Sequence, residues 1–391
     1  MKILISSDSC YFDVTTPETE PLGGTESSIA YLATELAKTH EVTILTNTND
    51  ATIRSVVHRS TKETSLEELV STQHFDIVIL VNDPVNGPRI RQATLNSKIG
   101  IIIWSHVIRI PDVEQEYLTY LDIQRSIDRV VYVSEYQRSA VETLFKIRGV
   151  KYEIIGNGFA PCFENIFSDI EDLANIKSWR AAYTSVPDRG LRTLVKVYQD
   201  EEFLNTNPPI ADIYSSYRIH QAADSKFPEI LPLYDEVRAN PNMEYHGALS
   251  QPELALAMRN VSFFTYPCIF KETYCISALE AMAAGALVIS VDLGALKSTS
   301  MEFGILMPLP FPDLTNDILY NPRCGLPYDN VVIQYRHFYM NIFKDFKANR
   351  EKYIERMWTQ VQAVNNNCTW KHRAASWDKL FNEIVKERQT I

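Results

Sequence analysis

Apolar and polar residues alternate in two successive series along this 391-residue chain. In the first 160 residues, short apolar runs rich in β-branched side chains are separated by helix-length polar or amphipathic segments. Continuous apolar runs of this kind are typical of parallel strands that helices cover on both faces. The pattern therefore predicts a doubly wound α/β domain. Its predicted strands are KILISS, VTILT, IRSVVH, DIVILVN, KIGIIIW, RVVYV and YEII.

The second series begins near residue 180, after a connection, GNGFAPCFEN, that is rich in Gly, Pro and Asn. A chain of this length exceeds what one hydrophobic core normally supports and fits two domains of roughly 150 to 200 residues. We predict an N-terminal domain over 1–165 and a C-terminal domain over 175–365. The predicted strands of the second domain are RAAYT, ADIYSSY, MEYHG, VSFFTYP, ALVISVD and GILMP.

Three further segments carry their own signals. The SQPE sequence at 250–253 matches a capping box and predicts a helix that begins at Gln251. The stretch 304–350, rich in Pro, Tyr and Phe, is interpreted as an insertion that shapes a cleft or an interface. An amphipathic helix is predicted over about 368–391. Its apolar face would be formed by Trp370, Trp377, Leu380, Phe381 and Ile384.

Composition narrows the possible partners and location. The net charge of −11 argues against a surface for polyanions, so no nucleic-acid partner is expected. Neither a signal peptide nor a run of about 18 apolar residues is found, which predicts a protein without a transmembrane segment and with peripheral membrane contact at most. The six cysteines, Cys10 and Cys324 among them, show no CxxC pair and predict reduced thiols in the cytoplasm.

Two loops have residue types suited to an anion. In LGGTESS, Gly23 and Gly24 would let backbone N–H groups approach a ligand closely, with Thr25 capping the following helix. A simple turn is the competing interpretation, and the missing third glycine of G-x-G-x-x-G counts against a dinucleotide site. In SVPDRGL, the planar fork of Arg189 is suited to clamping a phosphate. A solvated surface arginine is the alternative.

The strongest signal is KETYCISALEAMAAG at 271–285, where a loop leads into a short Ala-rich helix that we expect to begin near Cys275. The backbone N–H groups of Cys275, Ile276 and Ser277 would then point at one spot, as a phosphate site requires. Ionised carboxylates accept hydrogen bonds and therefore suit hydroxyl groups. With Glu272 on one side and Glu280 on the other, the inferred ligand is a nucleotide diphosphate sugar.

These ordered blocks resemble the retaining glycosyltransferases of the GT-B fold in glycosyltransferase family 4. The resemblance covers nearly the whole chain, from GGTE through VSEYQR, IGNGF, PDRGL and EYHGALSQPEL to the E-x7-E pair. It implies two Rossmann-like doubly wound α/β/α domains that face each other across a cleft. The donor would bind mainly to the second domain and a glycan or small-molecule acceptor mainly to the first. The C-terminal helix would pack back on the first domain.

The resemblance also implies roles for individual residues. Glu272 would bind hydroxyls of the donor sugar, Glu280 would bind the nucleotide ribose, and His106 would lie by the donor sugar. For His106, a structural loop histidine is the alternative. The implied catalytic residues are His106, Arg189 and Glu272. The implied donor-binding residues are Gly23, Gly24, Arg189, Glu272, Tyr274, Cys275, Ile276, Ser277 and Glu280.

One position departs from the family pattern. Similar enzymes carry an Arg five positions before a Lys, whereas this chain has Thr184 and Arg189 there. One cation is therefore missing from the loop, and Arg180 or Lys271 is a possible substitute. No D-x-D sequence occurs, so we expect neither a catalytic metal nor a cofactor.

Two alternatives to a hexosyltransferase remain at this stage. The first is a catalytically weakened protein that binds a nucleotide sugar without transferring it, which Thr184 motivates. The second is a nucleotide-sugar epimerase or a nicotinamide enzyme on a related double fold. The absence of G-x-G-x-x-G counts against the nicotinamide enzyme.

Overall fold

The structure, a computed structural model, describes residues 1–7, 11–94, 98–108, 121–145, 149–309 and 326–390. Cys10, Cys324 and residues 310–325 of the predicted insertion lie outside these ranges. The chain divides into two compact units. The first comprises Met1–Thr19, Gly23–Gly158 and Trp370–Ile391, and the second comprises Glu20–Leu22 and Phe159–Thr369.

The first unit is built on an eight-stranded sheet in the order β3-β4-β2-β1-β5-β6-β7-β8. Every neighbouring pair is parallel except β3 with β4. The central strands β1, β5 and β6 are mostly apolar and almost wholly buried because both faces of the sheet are covered. The strands are β1 Lys2–Ser6, β2 Glu41–Thr46, β3 Ala51–Ile53, β4 Val56–Ser60, β5 Ile77–Val81, β6 Gly100–Ser105, β7 Arg129–Tyr132 and β8 Tyr152–Ile154.

The predicted strand IRSVVH was wrong in part, because a hairpin turn divides it and its last three residues alone lie in β4. Arg54 and Ser55 both have positive φ, at 51° and 64°, and reverse the chain between β3 and β4. Two consecutive residues of this kind form the tight turn that joins antiparallel strands. Asn and Gly usually fill those positions, so the letters Arg-Ser gave no turn signal.

Within the described residues, six helices of the first unit lie between its strands. One further helix of this unit comes from the C-terminal part of the chain. The six are α1 Thr16–Thr19, α2 Gly24–Leu36, α3 Leu66–Thr72, α4 Asn86–Ala93, α5 Leu121–Ser126 and α6 Glu135–Phe145.

The second unit has a six-stranded parallel sheet in the order β11-β10-β9-β12-β13-β14. Numbered from β9, this is the 3-2-1-4-5-6 order of a Rossmann sheet, and its strand order reverses between β9 and β12. The strands are β9 Ser178–Thr184, β10 Ile210–Tyr214, β11 Met243–Tyr245, β12 Val261–Tyr266, β13 Leu287–Val291 and β14 Ile305–Met307.

Helices cover this second sheet, and one confirms a sequence signal. The predicted helix start at Gln251 is confirmed, with Ser250 and Glu253 forming the capping box. The Ser250 N–H donates to the Glu253 carboxylate over 2.9 Å. The helices are α7 Ile170–Ile176, α8 Leu191–Tyr198, α9 Glu201–Leu204, α10 Leu231–Ala239, α11 Gln251–Met258, α12 Ile276–Ala283, α13 Leu296–Thr299, α14 Leu326–Ala348 and α15 Arg350–Asn367.

Helix α14 corrects the interpretation of 304–350 as an insertion. Its Tyr335 and Tyr339 side chains are fully buried, and the Tyr335 hydroxyl donates to the Ile289 carbonyl of β13 over 2.9 Å. Tyr339 packs on Phe203 with ring centroids 5.7 Å apart. This part of the segment therefore completes the core of the second unit.

The last helix, α16 Trp370–Thr390, belongs to the first unit. Its Trp377 ring lies 5.2 Å from the Trp104 ring of β6, edge to face. Ile384 packs where a side chain at Gly100 would otherwise stand. All five residues of the predicted apolar face are buried. Among the helices within the described ranges, none is both long and apolar enough to span a membrane.

Candidate functional site

The loops at the carboxyl edge of the second sheet hold most of the predicted site residues. Strand β9 ends at Thr184 and β12 ends at Tyr266, so the two loops that follow lie at the point where strand order reverses. Ligands of Rossmann sheets bind at this point. The loop after β9 carries Arg189, and the loop after β12 carries Glu272 and leads into α12.

Gly190 allows these two loops to pack directly against each other. It follows the short 3-10 turn Pro187–Arg189 and has φ of +139°, which L side chains rarely adopt. A Cβ atom at this position would overlap the Pro267 carbonyl. The Ile269 N–H donates to the Arg189 carbonyl over 3.3 Å. The position of Arg189 is therefore fixed by the loop after β12.

Arg189 and Glu272 form a largely buried ion pair. The Arg189 Nη1 donates to Glu272 Oε1 over 2.7 Å, and the Tyr266 hydroxyl donates to the same oxygen over 2.6 Å. The guanidinium carbon also lies over the Phe270 ring, 3.6 Å from its centroid. Burial by itself would lower the pKa of Arg189, but the neighbouring Glu272 carboxylate raises that pKa above its ordinary value. Arg189 is therefore a permanent cation at this edge.

The sequence predicted Arg189 and Glu272 as separate ligand contacts, and the structure brings them together as partners. Tyr266 and Phe270 were missed, because both belong to an apolar run that suggests only a buried strand. Their position at the end of β12 was the available signal, since side chains just past a parallel strand face the binding edge.

The backbone around Glu272 is held by the loop after β13. The Ala295 N–H donates to the Glu272 carbonyl over 2.8 Å, and the Glu272 N–H donates to the Phe270 carbonyl over 2.9 Å. Gly294, with φ of +67°, lies so close that an added Cβ would stand 2.6 Å from the Glu272 carbonyl oxygen. The loop therefore presents Glu272 from a fixed main-chain position.

Helix α12 begins where the sequence predicted. Its N-cap is Cys275, in a left-handed conformation with φ of 75°, and Ile276 is its first residue. No side chain within the described ranges caps this end, so the first-turn N–H groups and the positive end of the helix dipole are presented at the edge. Tyr274, Ile276 and Ser277 are partly exposed there. Burial raises the pKa of the Cys275 thiol well above its ordinary value, so that thiol is neutral.

Glu280 differs in protonation state from the ionised carboxylate that the sequence suggested. It is only 6% exposed, and burial raises its pKa to about 8. The Ala160 backbone and the Gln251 side chain hydrogen-bond to it, and they oppose that rise. Below this pH the side chain is mostly a neutral acid that can donate as well as accept a hydrogen bond. Neither Ala160 nor Gln251 was predicted to contact it.

Arg180 does not fit the expectation that it helps balance a diphosphate. Its Nε donates to Asp212 over 2.7 Å and its Nη2 donates to Glu244 over 2.8 Å. His246 Nε2 lies 2.8 Å from the same Asp212 carboxylate. Ligand atoms of Asp212, Glu244 and His246 lie within 4.8 Å of one another, a spacing that suits a metal. Arg180 already supplies a positive charge to the two carboxylates.

The remaining predicted residues lie in the first unit. The expectation that Thr25 caps α2 was wrong, because Gly23 is the N-cap and Gly24 is the first helical residue. His106 follows β6 and is 7% exposed, and its backbone N–H donates to Asn82 Oδ1 over 2.7 Å. Burial lowers the pKa of His106 to about 3, so its ring is neutral near pH 7. The roles proposed for Gly23, Gly24 and His106 stay predictions.

Part of the second unit matches a known family model. Residues 203–314 match the family model "Glycosyl transferases group 1", which covers less than half of the chain. This range includes Glu272 and Glu280 but not Arg189. No curated protein matches the sequence.

Solved structures match over the full length. Sucrose-phosphate synthase from Thermosynechococcus elongatus is 15% identical with a TM-score of 0.64, over 99% of each chain. HepE from Anabaena, in complex with UDP-glucose, is 14% identical with a TM-score of 0.64, over 100% of each chain. A glycosyltransferase from Rickettsia africae is 14% identical with a TM-score of 0.62, over 98% of each chain.

These likenesses confirm the predicted fold, which is GT-B with two Rossmann-like domains. The group 1 glycosyltransferase domain and the shared fold together support a transferase enzyme, specifically a glycosyltransferase.

Proposed function

We propose that this protein is a retaining glycosyltransferase of family 4. It transfers a sugar from a UDP- or GDP-sugar to a hydroxyl of a glycan or another acceptor, without a metal. The observation that carries the proposal is one arrangement at the carboxyl edge of the second sheet. A permanent cation, an uncapped helix N-terminus and a buried carboxylate meet there within two adjoining loops.

Each element of this edge suits one part of a nucleotide diphosphate sugar. Arg189 and the first-turn amides of α12 suit the diphosphate, because both offer donors and positive charge. The Glu272 carboxylate suits sugar hydroxyls, and Glu280 suits the ribose. Tyr274, Cys275, Ile276 and Ser277 would line the diphosphate side. Anabaena HepE, which shares the fold, has been solved with UDP-glucose, and we propose the same ligand class here.

The proposed reaction occurs at one face of the sugar. The bond between the anomeric carbon and the leaving phosphate oxygen breaks, and a bond to the acceptor oxygen forms. The acceptor proton passes to the leaving phosphate oxygen, and the nucleoside diphosphate departs. The protein's contribution is electrostatic, because Arg189 and the helix amides stabilise negative charge as it develops on the phosphate.

A cytoplasmic location is part of the proposal and rests on thiol chemistry. Cys162, Cys268, Cys275 and Cys368, the four cysteines in the described ranges, form no disulfide with one another. Reduced thiols suit a reducing compartment.

The test begins with the thermal unfolding midpoint in UDP, GDP, ADP and dTDP. A ligand at about 100 times its dissociation constant adds about 2.7 kcal/mol of stability, which is a readily measured shift. We expect one nucleotide to raise the midpoint, and Glu280→Ala to reduce that response. Glu355→Ala makes the same change at an exposed helix position and should respond like the wild type. A midpoint unmoved by all four nucleotides at millimolar concentration would contradict the donor site.

Transfer is then measured with the sugar ester of the responding nucleotide. Release of nucleoside diphosphate, with the product's anomeric configuration read by NMR, decides both transfer and retention. Unchanged turnover in excess EDTA is the expected result for a metal-independent enzyme.

A second candidate is a nucleotide-sugar-binding protein with weakened catalysis. Thr184 provides no charge at the end of β9, and Arg189 is already engaged by Glu272. Such a protein would give the same nucleotide-induced shift in midpoint but release no nucleoside diphosphate from any acceptor mixture.

A further inference from the structure

The Arg189–Glu272 pair places two ligand-binding groups in contact with each other. A diphosphate needs the guanidinium, and a sugar needs the carboxylate. The two side chains are 24% and 9% exposed, so bulk water solvates neither group well. A nucleotide therefore has to replace contacts that the pair already makes.

We infer that this pair discriminates between the nucleotide sugar and the free nucleoside diphosphate, favouring the former. The inference rests on the proposed function. A free nucleoside diphosphate draws Arg189 away and leaves the buried Glu272 carboxylate with one donor fewer. A nucleotide sugar draws Arg189 away too, but its hydroxyls replace the guanidinium at Glu272. The spent nucleotide is thereby held less tightly than the donor.

The difference arises because a buried carboxylate that loses a hydrogen-bonded cation is strongly destabilised. Tyr266 is the stronger of the two donors that remain in the described residues, since its hydroxyl lies 2.6 Å from the same Glu272 oxygen, whereas the weakly donating Cys268 thiol lies 3.9 Å from it. The Tyr266 ring is 1% exposed and packs on Tyr183 with centroids 5.6 Å apart. Tyr266 is therefore a positioning residue, which limits the penalty without contacting the donor.

Phe270 gives the guanidinium a second contact that does not depend on Glu272. A cation over an aromatic face is stabilised by the ring quadrupole. Because the ring lies only 3.6 Å from Arg189, the guanidinium can turn its N–H groups from carboxylate to phosphate while it stays on the ring. Exchange of partners therefore needs only a small movement.

The test measures dissociation constants by calorimetry for UDP, GDP and their glucose esters. Wild type, Glu272→Gln, Tyr266→Phe and Glu355→Gln are compared as full-length proteins. Wild type should bind one glucose ester more tightly than its nucleoside diphosphate. Glu272→Gln should bind that nucleoside diphosphate about tenfold more tightly and lose most of the preference. Tyr266→Phe should bind it several-fold more weakly, and Glu355→Gln should match wild type.

The opposite directions of the two variants separate partner exchange from a merely structural role. If wild type binds both ligands but Glu272→Gln binds the nucleoside diphosphate no more tightly, the inference is overturned and the donor site stands. The inference is also overturned, and the donor site again stands, if Glu272→Gln and Tyr266→Phe both raise the dissociation constants of all bound ligands to the same extent. If wild type binds none of the four compounds, the proposed function fails and the inference fails with it.

Discussion

Two arginines on either side of the end of β9 show how similar side chains serve different purposes. Arg180 and Arg189 have nearly the same exposure, 25% and 24%. Each has a carboxylate partner that is more than nine-tenths buried, Asp212 and Glu272. Arg180 has a second carboxylate in Glu244, whereas Arg189 has an aromatic ring. Burial does not distinguish the two sites, but the nature of the second contact does.

The difference determines what each arginine can exchange. Arg180 divides its donors between two carboxylates, so an incoming anion would find its charge already compensated. Arg189 is bonded to one carboxylate, and a ring face leaves N–H donors available. We conclude that Arg180 stabilises the sheet and that Arg189 is the cation suited to a ligand.

Arg189→Ala should give the largest effect. If Arg189 is the cation that stabilises the leaving phosphate, as proposed, its loss should lower kcat/KM by about 10² to 10³-fold. The measurement is nucleoside diphosphate release under matched donor and acceptor concentrations. Arg189→Lys should recover part of the activity, because it restores charge without the planar fork. Full activity in Arg189→Ala would show that another group carries the charge.

Arg180→Ala should act on stability instead. It leaves the Asp212 carboxylate, 4% exposed, with His246 as its remaining hydrogen-bond partner among the described residues, and should cost about 3 kcal/mol of unfolding free energy in urea. The nucleotide-induced shift in midpoint should persist. Arg89→Ala, in an ion pair that is 63% and 43% exposed, is the control and should cost under about 1 kcal/mol. Loss of the nucleotide response in Arg180→Ala would erase the distinction between the two arginines.

Gly190→Ala should disturb the position of the Arg189 side chain without mutating the arginine itself. The added methyl group overlaps the Pro267 carbonyl and requires an unfavourable φ, so we expect a cost of about 1 to 3 kcal/mol and weaker nucleotide binding. Gly149→Ala separates the two causes, because Gly149 also has positive φ but has nothing within 4 Å of an added Cβ. Equal losses in both variants would mean that the close approach of the two loops is unimportant.

Stability should also depend on pH. Burial raises the pKa of Glu280 from 4.5 to about 8, so the folded state keeps a proton that the unfolded state loses. The contribution is complete below pH 4.5 and is lost as pH rises through 8. Urea unfolding between pH 5 and 9 should show wild-type stability declining more steeply than that of Glu280→Gln. Parallel curves for the two proteins would contradict the raised pKa.

Much of the scaffold was predictable from sequence because it follows local rules. The apolar runs of both series predicted most strands, and the capping pattern at Ser250 predicted the start of α11. The helix start near Cys275 was predicted from the change of loop to Ala-rich sequence. The hairpin at Arg54 and Ser55 was not, because the turn uses residues that seldom adopt positive φ.

The chemistry of the candidate site was less predictable because it depends on long-range contacts. Arg189 and Glu272 are 83 positions apart, and nothing in either motif indicates that they form an ion pair. Glu280 has the same letter as Glu272, yet its burial without a cation makes it mostly neutral. Residue types and order predict the kind of ligand, whereas packing decides which groups are charged and which are already partnered.

Gly294 limits which changes the loop after β13 can accept. Its missing side chain lets the loop after β13 press against the main chain of Glu272, which leaves no room to shift that residue. Lengthening the loop or adding bulk there would dislodge the carboxylate rather than redirect it. Under the proposed role of Glu272, a change of sugar preference at this loop would therefore come from exchange of single side chains on an unchanged backbone, and not from a longer loop.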